Sequence, residues 1–304
     1  MLDVVNPIRS LSIAAFTLGV LVLGSAAPVR AESTGETIRN PLPGKSNHTE
    51  RAASAPDLVP AEIPLQEGER LVYDIRVNGV AAGKTQLLIK KDKYATEKGP
   101  QIWVVEMDTH SNRAVSLFYS VEDKARTNID VKGGFTRFYH IQQKEGDVKN
   151  QEKINFKYDI GEMEATCEKP RPDGEWRTHK VPLPGKVLDP LSAIYYLRTI
   201  NFRALLDKKD LDKDICLPIC SDRRVWNTLL PVKGHGFDDF GKLKDREYVK
   251  IVPEAEFRGL FERKGKMTIW VDVETGIPLK MEVEIPIGHA EVQLSQYENC
   301  PLSK

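Results

Sequence analysis

Four cysteines, Cys167, Cys216, Cys220 and Cys300, are the residues of this chain best suited by type to covalent chemistry. An even count suits disulfide formation in an oxidising compartment, and four cysteines allow three pairings. If Ile215 to Cys220 is extended, Cys216 and Cys220 stand about 13 Å apart at ~3.3 Å per residue. A bridge needs its Cα atoms within about 7 Å, so this pair bonds only if Pro218 folds Cys-Leu-Pro-Ile-Cys into a tight turn. A bond from Cys167 or Cys300 to the segment would close a long loop and stabilise by about 4 kcal/mol in the chain-entropy account. Irregular spacing disfavours a four-cysteine zinc site. The motif opens no helix, which disfavours a redox role.

Other chemistry has little support, and no catalytic residue, metal ligand or cofactor is assigned. The histidines, His48, His110, His140, His179, His235 and His289, are isolated, without a His-Glu-x-x-His or a His/carboxylate cluster. Ser192 sits in Pro-Leu-Ser-Ala rather than a Gly-x-Ser-x-Gly elbow. Gly234-His235-Gly236 with Gly241 lacks phosphate-loop spacing and reads as a turn. Acid pairs such as Asp238-Asp239 and Glu282 with Glu284 read as solvated charge. So do Lys90-Lys91-Asp92-Lys93, Lys208-Lys209 and Arg223-Arg224.

The elements that must position these residues are mostly strands. Ile277, Leu279, Met281, Val283 and Ile285 alternate with Pro278, Lys280, Glu282 and Glu284, the period of a half-buried strand. Upstream, Met267, Ile269, Val271 and Val273 alternate likewise, and Glu274-Thr275-Gly276 joins the two runs as a hairpin. Ala290, Val292 and Leu294 add a third strand. Leu71, Tyr73, Ile75 and Val77 lead into Asn78-Gly79, a dipeptide that tolerates the positive φ of a tight hairpin, and Val80 to Lys90 returns. Further strands are expected near Gln101–His110, Tyr119–Val131, Phe135–Lys144, Glu152–Ile160, Glu162–Cys167, Val225–Lys233 and Glu247–Pro253. One segment breaks the pattern. Asp189 to Arg198 has an N-cap aspartate, proline in the first turn, and apolar Leu191, Ile194 and Tyr195 at helical spacing, widened by Leu197.

The 304 residues carry 44 basic and 44 acidic side chains, so bulk charge offers no counterion release and argues against a nucleic-acid binder. A 40% hydrophobic content excludes a wholly disordered chain. After Arg9, the apolar run Leu11 to Gly24 is shorter than the ~20 residues of a spanning helix. Small residues follow, at Ser25-Ala26-Ala27 and Val29-Arg30-Ala31, so residues 1–31 read as a secretory signal cleaved after Ala27 or Ala31. No transmembrane segment is expected in the mature chain. Residues 32–66, with Pro41, Pro43, Pro56, Pro60 and Pro64 and few large apolar side chains, read as a disordered tether. Alternation then runs from Leu71 to Leu294, so 67–304 reads as a single domain.

Gly68-Glu69-Arg70-Leu71-Val72-Tyr73-Asp74, Asn78-Gly79 with Ala82-Gly83, Asp189-Pro190-Leu191-Ser192-Ala193 ending in Tyr196-Leu197-Arg198, and Trp270-Val271-Asp272 through Pro278-Leu279 resemble an exported bacterial family. It is catalogued as domain of unknown function thirty-one-oh-eight. The likeness runs in one order over nearly the whole domain, and it implies fold and export rather than an activity. Trp270 to Leu279 also resembles a hairpin of periplasmic lipoprotein carriers, whose half-open barrels hold acyl chains on an apolar inner face.

The expected fold is mainly β, a strongly curved antiparallel sheet or half-open β-barrel with one principal α-helix against its concave side. The expected function is a non-enzymatic protein of the periplasm or cell envelope that binds an apolar ligand, lipid or lipidated partner. Leu191, Ile194, Tyr195, Ile269, Val271, Leu279, Met281 and Val283 would line the site. The alternative is an assembly protein that docks envelope components through exposed strand edges. A third reading, a hydrolase, requires two carboxylates facing each other across a cleft.

Overall fold

A computed structural model describes residues 58–92, 101–159, 161–171, 173–207, 215–255, 267–285 and 288–303. The expected signal segment and residues 32–57 of the expected tether lie outside the described residues. In chain order, the hairpin β1 (Arg70–Val77) and β2 (Val80–Lys91) continues into β3 (Ile102–Ser111). The short helix α1 (Arg113–Ser116) precedes β4 (Val121–Asp130), β5 (Thr136–Glu145) and β6 (Val148–Asp159). β7 (Glu162–Pro170) and β8 (Trp176–Pro182) then lead to α2 (Pro190–Tyr196) and α3 (Phe202–Asp207). β9 (Cys216–Ser221), β10 (Arg224–Leu229), β11 (Val232–Phe240), β12 (Leu243–Ile251) and β13 (Glu254–Ala255) follow. The C-terminal meander is β14 (Met267–Asp272), β15 (Pro278–Ile285) and β16 (Gly288–Glu298).

Thirteen strands form one antiparallel sheet in the order β11-β12-β14-β15-β16-β1-β2-β3-β4-β5-β6-β7-β8, and β13-β10-β9 form a second. The first and last strands of the chain meet in the middle of the large sheet, Arg70 opposite Glu298 and Val77 opposite Ala290. Its terminal strands β8 and β11 do not pair with each other, so the curved sheet is not closed into a barrel. Alternation explains the layering: Leu71, Tyr73 and Ile75, with Leu87 and Ile89, face one buried side and join a single core with α2 and the small sheet. At the β1–β2 turn, Asn78 and Gly79 have φ of 49° and 80°, the left-handed pair that the dipeptide foretells.

Several boundaries differ from the sequence reading. Gly234-His235-Gly236 is not a turn but part of β11, where Gly236 lies opposite Tyr248; a Cβ there would meet the Tyr248 hydroxyl at 3.0 Å. The expected Val225–Lys233 strand is two strands, broken where Pro231 lacks a ladder donor. β8 was not expected. Residues 58–66, read as tether, lie along the domain, because Leu58 and Ile63 are buried in the core and Tyr196 donates its hydroxyl to the Val59 carbonyl at 2.5 Å.

Candidate functional site

The helix α2 packs against β4 of the large sheet and β9 of the small one within the core, and its sequence explains how it is held. Asp189 caps it, with Oδ1 accepting from the backbone N–H groups of Leu191 (2.8 Å) and Ser192 (3.2 Å). Oδ2 accepts from the hydroxyls of Thr127 on β4 (2.6 Å) and Thr136 on β5 (2.7 Å). The Asp189 N–H in turn donates to Thr136 Oγ1 at 2.8 Å and to Ser192 Oγ at 2.9 Å. Burial pushes the Asp189 carboxyl above its ordinary pKa, and these hydrogen bonds pull against that rise. Every oxygen is therefore committed. Ser192 is a capping residue, not an exposed nucleophile.

At the other end, the buried Arg198 guanidinium makes a two-pronged contact with the buried Glu69 carboxylate, at 2.6 and 2.8 Å. It also lies over the Tyr195 ring, 4.7 Å from its centroid. Burial opposes the charge on Arg198, but the bonds to Glu69 outweigh it and raise the pKa. The turn between β14 and β15 closes over this end: Gly276, at φ 67°, leaves no room for a side chain, since a Cβ would stand 2.5 Å from Arg198 Cα. Helix α2 is thus tied to β4 and β5 at its start, to the segment before β1 at its end, and pressed by the β14–β15 turn.

The residues expected to line an apolar site are all brought together here. Leu191, Ile194 and Tyr195 of α2, Ile269 and Val271 of β14, and Leu279, Met281 and Val283 of β15 belong to one core and are between 0% and 5% exposed. Ile269 faces Met281 across the ladder, and Met267 faces Val283. Their apolar surface is covered by the chain's own side chains.

Cys167 on β7 and Cys220 on β9 are buried side by side, and the Cys220 thiol is hydrogen bonded to Cys167. The Cys220 thiol is pushed far up by that bond first and by burial second. Cys216 to Cys220 is an extended strand paired with β10, so the tight turn needed for a Cys216–Cys220 bridge does not form. Cys300 is buried after β16, 3.7 Å from the Ser303 hydroxyl.

The histidines stay apart. His110 lies 2.8 Å from Asp108, His140 bonds Gln151 at 2.7 Å, and His235 bonds Glu247 at 2.8 Å. His179 and His289 are exposed, and His48 lies outside the described residues. Asp238, Asp239 and Glu284 are exposed, and Glu282 is half-buried on the outer face against Lys280 at 2.7 Å. Among the described residues no three of His, Cys, Asp and Glu stand together at metal-binding geometry. No helix among them is long and apolar enough to cross a membrane.

Sequence reasoning missed the interior acids. Glu152 on β6 is buried 3.4 Å from Lys169 and titrates above its ordinary pKa because burial outweighs that ammonium. Tyr139, fully buried on β5, has a hydroxyl without a hydrogen-bond partner, and burial followed by Asp189, Glu152 and Asp123 keeps it un-ionised.

It also missed an apolar rim. The connections β1–β2, β3–β4 and β5–β6 all leave the sheet at one end, because the meander reverses at each strand. Their exposed residues include Val80 (67%), Leu117 (78%), Phe118 (90%) and Val148 (53%). The rim is stitched together: Asn112 Nδ2 donates to the Ala81 carbonyl at 2.6 Å, and Gly146 N to the Ser120 carbonyl at 2.8 Å. The signal in the sequence was a large apolar pair, Leu117-Phe118, outside any alternating run.

The family model described as "Protein of unknown function (DUF3108)" matches residues 72–295, most of the chain. The chain belongs to this family. The DUF3108 match opens in β1 and closes in β16, so it takes in α2, Arg198, Cys167, Cys220 and the rim. Glu69 and Cys300 stand just outside it. The resemblance read from the Asp189-Pro190-Leu191-Ser192-Ala193 helix and the flanking hairpins is therefore upheld. No curated protein sequence matches the chain. Among solved structures, it is similar to the crystal structure of a beta-barrel-like protein of domain of unknown function DUF1849 from Brucella abortus. That match has 12% identity and a TM-score of 0.48, over 80% of this chain and 98% of that one.

Proposed function

We propose that this DUF3108 protein is an exported, non-enzymatic envelope protein that engages an apolar, acyl-chain-bearing surface, and that it does so with the rim rather than the interior. The observation that carries the reading is the exposure of Leu117 and Phe118, side by side on the β3–β4 connection, with Val80 and Val148 on the neighbouring turns. Large apolar side chains clustered at the surface mark contact sites. Exposed Arg113 and Lys149, with Asp147 on the β5–β6 turn, give the cluster the polar surround that a headgroup layer accepts. The interior is supported less, because α2 is fixed at both ends and its apolar face is already covered. Export rests on the Leu11–Gly24 run and the small residues after it, and an oxidising compartment would favour a disulfide among the four cysteines.

The test is co-sedimentation of the full chain with phosphatidylethanolamine/phosphatidylglycerol vesicles. Binding is expected, and a Leu117→Asp/Phe118→Asp variant should bind at least about tenfold more weakly, since each side chain contributes roughly 1.5–3 kcal/mol when buried. Equal binding by the two proteins, or none by the parent, would defeat the proposal. A second reading, strand addition by an envelope partner, is favoured by one feature: β8 is a terminal strand with exposed residues on both faces. Site-specific crosslinking from position 178 would recover such a partner.

A further inference from the structure

We propose that Cys167 and Cys220 form the disulfide of the mature protein and covalently fasten the small sheet to the large one. The geometry comes from two strands that are not neighbours in either sheet. On β7, Ala165, Cys167 and Lys169 share the inward face by alternation, and Cys167 lies opposite Ile154 of β6. On β9, Cys220 precedes the reversal at Asp222 and Arg223, and its N–H donates to the Leu188 carbonyl at 2.8 Å. Two residues beyond each cysteine the two segments meet again, at the end of β7 and the turn after β9: Lys169 Nζ bonds Asp222 Oδ1 at 2.8 Å. Paired contacts at equal offset fix the separation of the two strands, and the thiols stand in hydrogen-bond contact between them. Neither alternative partner is so placed. Cys216 is four extended residues away from Cys220, and Cys300 sits after β16 beside Ser303.

The step is thiol–disulfide exchange with an oxidant of the protein-disulfide or glutathione-disulfide class. A thiolate from one cysteine attacks the oxidant's S–S bond and releases one oxidant thiol. The second cysteine then attacks the mixed disulfide and releases the other. Two protons and two electrons leave the cysteine pair, and the oxidant becomes two thiols. Cys167 and Cys220 are 1% and 0% exposed. An oxidant therefore cannot reach them in the folded domain, and the bond forms while the chain is still open.

This inference rests on the export reading for its oxidant, and the experiment separates the two. Full-length protein is expressed with its native N-terminus, recovered by envelope fractionation, alkylated under denaturing but non-reducing conditions, and mapped by mass spectrometry. Expected are two alkylated cysteines, Cys216 and Cys300, and one linked peptide pair containing Cys167 and Cys220. A link that uses Cys216 or Cys300 overturns the pairing. In parallel, reduced, unfolded protein is refolded in glutathione redox buffer. The same linked pair is expected, and four alkylated cysteines there overturn the pairing outright. The linked pair in refolded protein, with four free thiols in the cell-made protein, would uphold the pairing and overturn export. A Cys216→Ser/Cys300→Ser variant should keep the faster non-reducing gel mobility of the oxidised form, and Cys167→Ser/Cys220→Ser should lose it.

Discussion

Arg198 and Glu69 form a buried, two-pronged ion pair across 129 residues of sequence, which joins the end of the α2 segment to the threshold of β1. Breaking such a pair leaves one charge desolvated and unmatched. Arg198→Met is therefore expected to lower stability by about 3–5 kcal/mol, and Glu69→Met/Arg198→Met together by much less, because apolar groups of similar volume need no counter-charge. Urea unfolding of the parent, both single variants and the double variant checks this. Equal losses in single and double variants would show that the pair acts only by packing.

At the opposite end of the same helix, Thr136 is expected to matter more than a surface hydroxyl. Its hydroxyl donates to the Asp189 carboxylate, accepts from the Asp189 N–H and meets the Ser192 hydroxyl at 2.7 Å. Thr136→Val keeps the shape and removes all three, at a cost of about 2–3 kcal/mol, since an unmet bond to a buried charged group costs most. Thermal and urea unfolding read the loss directly. A change near zero would mean that Asp189 is satisfied by Thr127 and the helix backbone alone.

Much of this arrangement was legible in the sequence, and the exceptions share a cause. Ile277 to Ile285 and Leu71 to Val77 announce their strands because one face is wet and the other buried, and Asp189-Pro190 announces the helix start by local chemistry. β8 was invisible because Arg177, Thr178, His179 and Lys180 are exposed, so no alternation records a buried face. Gly236 looked like a turn because its role is to make room for Tyr248, a fact held by a neighbouring strand. Glu69 with Arg198, and Thr127 and Thr136 with Asp189, are partners at 53 to 129 residues' separation. Each side chain alone is an ordinary surface type, and only the fold brings them together.

Two glycines with left-handed backbone should respond differently to alanine. Gly79, at φ 80°, has nothing within 4 Å of a Cβ, so Gly79→Ala meets only the conformational penalty of about 1–2 kcal/mol. Gly276→Ala adds a clash with the backbone of Leu197 and Arg198, at 2.8 and 2.5 Å, and is expected to cost about 3 kcal/mol or more. Comparing urea midpoints of the two variants tests the difference. Similar losses would mean that the β14–β15 turn moves freely away from the helix.

The pH dependence of stability should carry the mark of Glu152. Its folded pKa lies above the ordinary carboxyl value because burial outweighs Lys169. The folded state therefore holds its proton more tightly than the unfolded state does. The associated stability is fully present below the unfolded pKa and is lost as pH rises through the folded one. Glu152→Gln cannot titrate there. The stability of the parent relative to this variant is expected to fall over the pH interval that begins at the ordinary carboxyl value and rises through the folded one. A difference that stays constant over that interval, measured by urea unfolding, would refute the assignment.

The pairing of β1 with β16 has a consequence in time. Arg70 and Glu298 are 228 residues apart, yet their strands lie in the middle of the sheet, where each gives the other its ladder. While the chain is being synthesised, β1 has only β2 beside it, and its other edge stays open until β16 emerges. Such non-local closure makes folding slow, and the waiting edge is a template for pairing with other chains. Until β16 arrives, that edge is exposed to other copies of the same chain. A chain shortened before Gly288 would retain most of its core residues and still present two raw edges at its centre.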